Sequence, residues 1–72
     1  MSNPPVSRED LIDVRTQVRD LEAAIRQSNT AFRRLVAGQP DARAEWQTAD
    51  ASAWGMGQRV SDRLTVLADR LP

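Results

Sequence analysis

From Leu11 to Leu35 apolar residues recur on a seven-residue period, and this repeat restricts the fold more than any other feature of the chain. Leu11, Val14, Val18, Leu21, Ile25, Phe32 and Leu35 follow one another at spacings of three and four, interrupted only by Ser28. Such spacing draws one apolar seam along a helix and calls for a second helix to cover it. Downstream, Ala42, Trp46, Ala49, Ala53, Met56, Val60, Leu64, Leu67 and Leu71 step the same way. Two successive fours at Met56, Val60 and Leu64 would act as a stutter that locally unwinds a supercoil.

The boundaries between these helices are written in cap and turn residues. Met1 to Val6, with Pro4-Pro5, reads as a short extended arm over 1–6. Ser7 is a good N-cap, with Asp10 at the capping-box position three residues later. Glu9, Asp10 and Asp13 also suit the positive end of a helix dipole. The first helix is predicted over 7–37. Gly38 can close it and Pro40 cannot continue it, so 38–40 form the turn and Pro40 or Asp41 opens a second helix over 41–71. Inside that helix stands Trp54-Gly55-Met56-Gly57. Its two glycines cost about 1 kcal/mol each relative to alanine. They would distort the helix or break it near 54–57, into Asp41–Ala53 and Gln58–Leu71. The continuing apolar spacing favours one helix.

The predicted fold is therefore an all-α antiparallel two-helix hairpin, coiled-coil-like and a single domain. If the chain reverses near Gln39, facing residues have numbers summing to about 78. Leu35 then meets Ala42, Phe32 meets Trp46, Ser28 meets Ala49 and Ile25 meets Ala53. Leu21 meets Met56 or Gly57, Val18 meets Val60, Val14 meets Leu64 and Leu11 meets Leu67. Every apolar seam residue so finds an apolar or small partner. Ala49, Ala53 and Gly57, four apart, would let the two backbones approach closely. Ser28 would bond back to the Ala24 carbonyl, or pin the register of an oligomer.

Composition bears on what such a hairpin can do. The chain has 72 residues, 40% of them hydrophobic, but only two Trp, one Phe and no Tyr. A lone hairpin of this size leaves apolar surface wet, and with no cysteine to staple it the expected remedy is association. Dimerisation, or a partner, would complete a four-helix bundle. Histidine and lysine are absent, and ten arginines balance ten acids. No imidazole or amine is available for base, nucleophile or Schiff-base work, so no catalytic residue is proposed and an enzyme is not expected. No metal or cofactor site is expected either. Glu9, Asp10 and Asp13 are explained by the helix dipole, and no Gly-rich phosphate loop follows a strand. Met1 to Val6 lacks the basic and apolar regions of a signal peptide, and no run reaches the ~20 apolar residues of a membrane span. A cytoplasmic protein without membrane contact is the expectation.

Two surfaces are candidates for partner binding. Trp54 lies beside the predicted seam, as do Ile12, Val36 and Val66, and with Met56 they would form a second apolar surface. A tryptophan next to glycines is a typical anchor for a partner. On the first helix the charges are sorted. Arg8, Arg15, Arg19, Arg26 and Arg33 fall along one flank of the predicted seam, and Asp10, Asp13 and Asp20 along the other. These could pair locally, as Glu22 with Arg26, or steer the orientation of a partner. The function so indicated is a protein–protein interaction module, with a homodimer or another protein as partner. The alternative is a hairpin dimer that holds nucleic-acid phosphates on the Arg stripe. Zero net charge, the acidic flank and the lack of interleaved aromatic residues weigh against it.

Arg33-Arg34-Leu35 before the turn, Gly38 within it, and Glu45-Trp46-Gln47 followed by Ala51 and Ala53 resemble the small helical-hairpin co-chaperones of bacterial type III secretion needle subunits. The resemblance covers about half the chain. It implies two antiparallel helices, no catalytic site, and a role in helping a helical-repeat chaperone keep an aggregation-prone needle protein soluble.

Overall fold

The computed structural model describes residues 4–71, so part of the predicted arm, residues 1–3, lies outside the described residues. Two helices make up the fold: α1 (Arg8–Val36) and α2 (Ala42–Ala68), folded back on each other as an antiparallel pair. No residue of the described chain forms a strand.

The start of α1 is held by the capping box that Ser7 and Asp10 predict. The Asp10 backbone N–H donates to Ser7 Oγ at 3.2 Å, and the Ser7 backbone N–H donates to Asp10 Oδ2 at 3.0 Å. Two N–H groups that helix geometry leaves without partners are thereby satisfied. The end of α1 is a Schellman closure. Gly38 N–H donates to the Leu35 carbonyl at 3.0 Å and Gln39 N–H to the Arg34 carbonyl at 3.2 Å. Gly38 takes φ 74°, where any side chain would be strained. Asp41 then enters α2 at φ 64°, a conformation that aspartate tolerates better than most residues.

α2 runs unbroken through Trp54-Gly55-Met56-Gly57. Neither glycine is required by the hairpin: a Cβ at Gly55 would meet nothing within 4 Å, and one at Gly57 would touch only Leu21 Cδ1 at 3.9 Å. At its other end α2 stops three residues short of the predicted 71. The N–H groups of Arg70 and Leu71 turn to carbonyls three residues back, and the peptide before Pro72 disfavours a further helical turn.

Pairing follows the predicted register. The rings of Phe32 and Trp46 lie 6.0 Å apart at 57°, and Gly57 faces Leu21. The rotation of the helices about their axes differs from the prediction. The positions of α1 shielded from solvent are Asp10, Val14, Gln17, Leu21, Ala24, Ser28, Ala31 and Leu35. Leu11, Ile25 and Phe32, expected in the seam, stand exposed beside it, while Val18 is half-buried like Gln17. Along α2 the seam row reads Ala42, Trp46, Ala49, Ala53, Met56, Val60, Arg63 and Leu67, with Arg70 just past its end and with Asp50, Gly55 and Gly57 half-buried beside it. Its steps alternate strictly between four and three. The expected stutter is therefore absent, because Arg63 occupies the seam where Leu64 was expected.

The seam is thin as a result. Ala24, Ala31, Ala42, Val60, Leu67 and Ser28 are its buried members, and no large side chain is fully buried. Ser28 lies among them at 8% exposure. The side-chain-to-carbonyl bond predicted for it is made instead by threonines on solvent-facing turns, Thr16 to Ile12, Thr30 to Arg26 and Thr65 to Ser61. The hairpin measures 56 × 18 × 13 Å with a radius of gyration of 16.5 Å. A compact chain of this length has about 11 Å.

The two glycine classes predict opposite outcomes in denaturant unfolding. Gly55→Ala raises stability by about 1 kcal/mol, since it adds helix propensity and meets no neighbour. Gly38→Ala lowers it by about 1–2 kcal/mol through the left-handed backbone alone. Equal effects of the two would contradict the assignment of one to a helix interior and the other to a turn.

Candidate protein-interaction surface

A residue advances about 100° around a helix axis, so the position following each step of three in the seam falls on one side of the hairpin. On α1 that side carries Leu11, Val18, Ile25 and Phe32; on α2 it carries Gly57, Leu64 and Leu71, with Trp54 a little further out. In an antiparallel pair these two rows border the same side. The shape of the surface agrees. Leu11, Val14, Leu64, Leu67 and Leu71, with Val6 and Ala68, enclose an apolar hollow of about 320 Å³ at the open end. Midway along the hairpin a hollow of about 380 Å³ is bounded by Ile25 and Asn29 on one helix and Asp50, Trp54 and Gly57 on the other. Toward the turn, Phe32 and Trp46 continue the strip. Trp54 is 67% exposed, Leu11 59% and Leu71 62%. Side chains of this size at such exposure, lined up on one side, form a contiguous patch rather than scattered surface residues.

The opposite side is charged. Gln17, Asp20, Met56 and Arg59 surround one depression. Arg26, Thr30, Arg34, Glu45, Thr48 and Ser52 line a larger one. Arg34 Nη1 donates to Glu45 Oε1 at 2.7 Å across the helices. Arg63 Nε approaches Asp13 Oδ2 at 3.8 Å, too far for a hydrogen bond, and is buried without another acceptor.

Asp10 joins the two helices at the open end. Its side chain is only 16% exposed and receives Arg63 Nη2 at 2.9 Å and Arg70 Nη1 at 3.3 Å. It was expected on the acidic flank with Asp13 and Asp20, and instead lies in the seam, where it clamps Arg63 of α2 and Arg70 just past the end of α2 while capping α1. The Ser7 backbone N–H is the main influence that holds its carboxyl below the ordinary carboxylate range. Burial opposes this, and the Ser7 hydroxyl with the Arg70 and Arg63 guanidiniums reinforces it. The expected Glu22–Arg26 pair is not among the ion pairs of the described residues, all of which cross between the helices.

The predicted partner-binding residues are not gathered on one surface. Trp54 alone borders the apolar side. Met56 belongs to the seam and the charged side, Val66 flanks the charged side, Ile12 lies on the outer back of α1, and Val36 sits at the turn end. Arg19, Arg26 and Arg33 are exposed on α1 away from the apolar row, whereas Arg15, following Val14 as Trp54 follows Ala53, borders it. Leu11, Ile25, Phe32, Leu64 and Leu71, which do form the apolar side with Trp54, had been assigned to the hairpin's own seam. Among the described residues no group of three or more carboxylates is disposed to hold a metal, and no helix is long and apolar enough to cross a membrane. No protein-family model, curated protein or solved structure matches the chain.

Because the Asp10 carboxyl ionises more readily in the folded hairpin than in the unfolded chain, it stabilises the fold above its unfolded value of about 3.9. That contribution is lost as pH falls through the lower, folded value. Thermal unfolding followed by circular dichroism therefore shows Asp10→Asn less stable than the parent at pH 7. The two curves converge as pH falls below about 4, and a difference independent of pH would contradict the clamp.

Proposed function

We propose that this chain is a non-enzymatic protein–protein interaction module, an adaptor, co-chaperone or regulatory subunit whose apolar side packs against two further helices to complete a four-helix bundle. One observation supports this above the others: Leu11, Ile25, Phe32, Trp54, Leu64 and Leu71 are all close to half exposed or more, on one side of a hairpin whose other side is charged. A helix pair bearing such a strip lowers its free energy by covering it. Trp54 gives the strip an anchor, and the ion pairs of the charged side leave that side to water.

The nucleic-acid alternative would use Arg15, Arg19, Arg26 and Arg33. Of these, Arg19, Arg26 and Arg33 stand apart from the apolar strip and Arg15 borders it, on a chain of zero net charge. Salt separates the two readings. Phosphate contacts weaken steeply as counterions rise, whereas an apolar interface responds little.

Light scattering and an apolar fluorescent dye test the proposal together. Either the strip is hidden by association, or it stays open and binds dye, and in both cases the behaviour persists from 50 mM to 1 M salt. Trp54→Ala with Phe32→Ala diminishes whichever is seen. A folded monomer that binds no dye, or tight binding to duplex RNA that vanishes with salt, would contradict the reading.

A further inference from the structure

Accepting that the apolar side is an interaction surface, we infer that its occupant is a second copy of this chain, paired about a two-fold axis that passes close to the Trp54–Gly57 hollow.

The surface area sets the scale. The chain exposes 5760 Å², whereas a compact monomer of 8.0 kDa exposes about 4,450 Å². The excess, about 1,300 Å², is more than the roughly 800 Å² that each partner contributes to a stable interface. The excess is spread over the whole elongated chain and is large enough to include an interface of standard size.

Position supports symmetry. A two-fold interface brings the same patch of both protomers together, so it buries most when the patch is centred on the element that carries it. The hollow bounded by Trp54, Gly57 and Ile25 lies midway along both helices, with apolar side chains continuing to either end. A two-fold axis there overlaps the whole strip and brings each Trp54 near its symmetry mate's hollow. Gly57 gives that hollow its depth. The hairpin itself does not require a glycine at this position, since a Cβ there would make only an ordinary contact with Leu21. A closely approaching second helix would.

Charge permits self-pairing. The central row of the strip is apolar on α1 and on α2 adds Arg43 and Asp50, of opposite sign. The outer row of α1, equivalent to that of Trp54, carries Arg8, Arg15 and Glu22, of both signs. Two copies placed face to face therefore meet no like-charge ridge, while the arginine-bearing back and the ion-paired side remain in water.

Light scattering of the full chain over a concentration series tests the inference. The expected result is twice the chain mass at tens of micromolar, with the dye excluded, and a dissociation constant raised about thirtyfold or more in Trp54→Ala. Trp46→Phe leaves Trp54 as the sole fluorophore. Its emission then moves to longer wavelength on dilution in step with the loss of dimer, a readout that needs no disruptive substitution. A folded monomer that binds dye in a Trp54-dependent way would overturn the second copy and leave the interaction module standing. A dye-silent monomer would overturn both. A dimer whose Trp54 emission does not change on dissociation would place the interface elsewhere and overturn the inference.

Discussion

A seam lined at its waist by small residues is the constraint on which the rest of this hairpin depends. Ala24, Ser28 and Ala31 on α1 oppose Ala49 and Ala53 on α2, so the seam at its waist has little side-chain depth. Although Leu35, Val60 and Leu67 are accommodated in the seam on either side of it, such a waist leaves Ile25 and Phe32 no room between the helices. They are displaced to the rim. Because the two helices are antiparallel, the displaced residues of both collect on one side. Both the thin core and the wide apolar strip follow from that single geometric choice.

The open end solves a different problem. There the seam is polar, with Asp10, Gln17, Arg63 and Arg70 among its shielded residues. One carboxylate serves two elements: it completes the cap of α1 and receives the guanidiniums of Arg63 in α2 and of Arg70 just past its end. A charge-assisted link between the chain's first helical turn and its last is directional, which apolar contact is not. It fixes which faces of the helices meet at the end furthest from the turn, where the Schellman closure at Gly38 has least leverage. With the ends so fixed and the waist thin, the hairpin presents two different sides, and the proposed function is the use of its apolar side.

Much of this could be read from the residues. The capping box at Ser7 and the stop at Gly38 rest on local rules, and the antiparallel register on the matching of two apolar patterns. Trp54-Gly55-Met56-Gly57, by contrast, leaves distortion or a break of the second helix open, and only the continuing apolar spacing favours one helix. Val14, Leu21, Ser28 and Leu35 were also placed correctly in the seam. The rotation of the helices was not legible. At alternate seam positions a small or polar residue precedes a larger apolar one: Asp10 before Leu11, Ala24 before Ile25, Ala31 before Phe32. Hydropathy selects the larger member, whereas the packing selects the smaller, because the thin waist admits alanine and excludes isoleucine or phenylalanine. Arg63 displaces Leu64 for a related reason, since Asp10 supplies the acceptor that lets a guanidinium occupy a seam position. The partner surface was misplaced in consequence. Once Leu11, Ile25 and Phe32 are spent on the seam, only Trp54 and unconnected residues such as Ile12 and Val66 remain to form an interface. One signal could have revealed it: alanines or serine at 24, 28, 31, 49 and 53 together describe a waist too thin for the larger residues.

The stability of Ala31→Leu measures this account most directly. Ala31 is 2% exposed and faces the other helix, so a leucine there must overpack the waist and push the backbones apart. Denaturant unfolding is expected to show a loss of about 1–3 kcal/mol. If residue 31 instead lay outside the seam, with Phe32 between the helices, leucine would be tolerated or would add stability through helix propensity and extra burial. An unchanged or raised midpoint for Ala31→Leu would contradict the small-residue seam, and with it the apolar side that the seam creates.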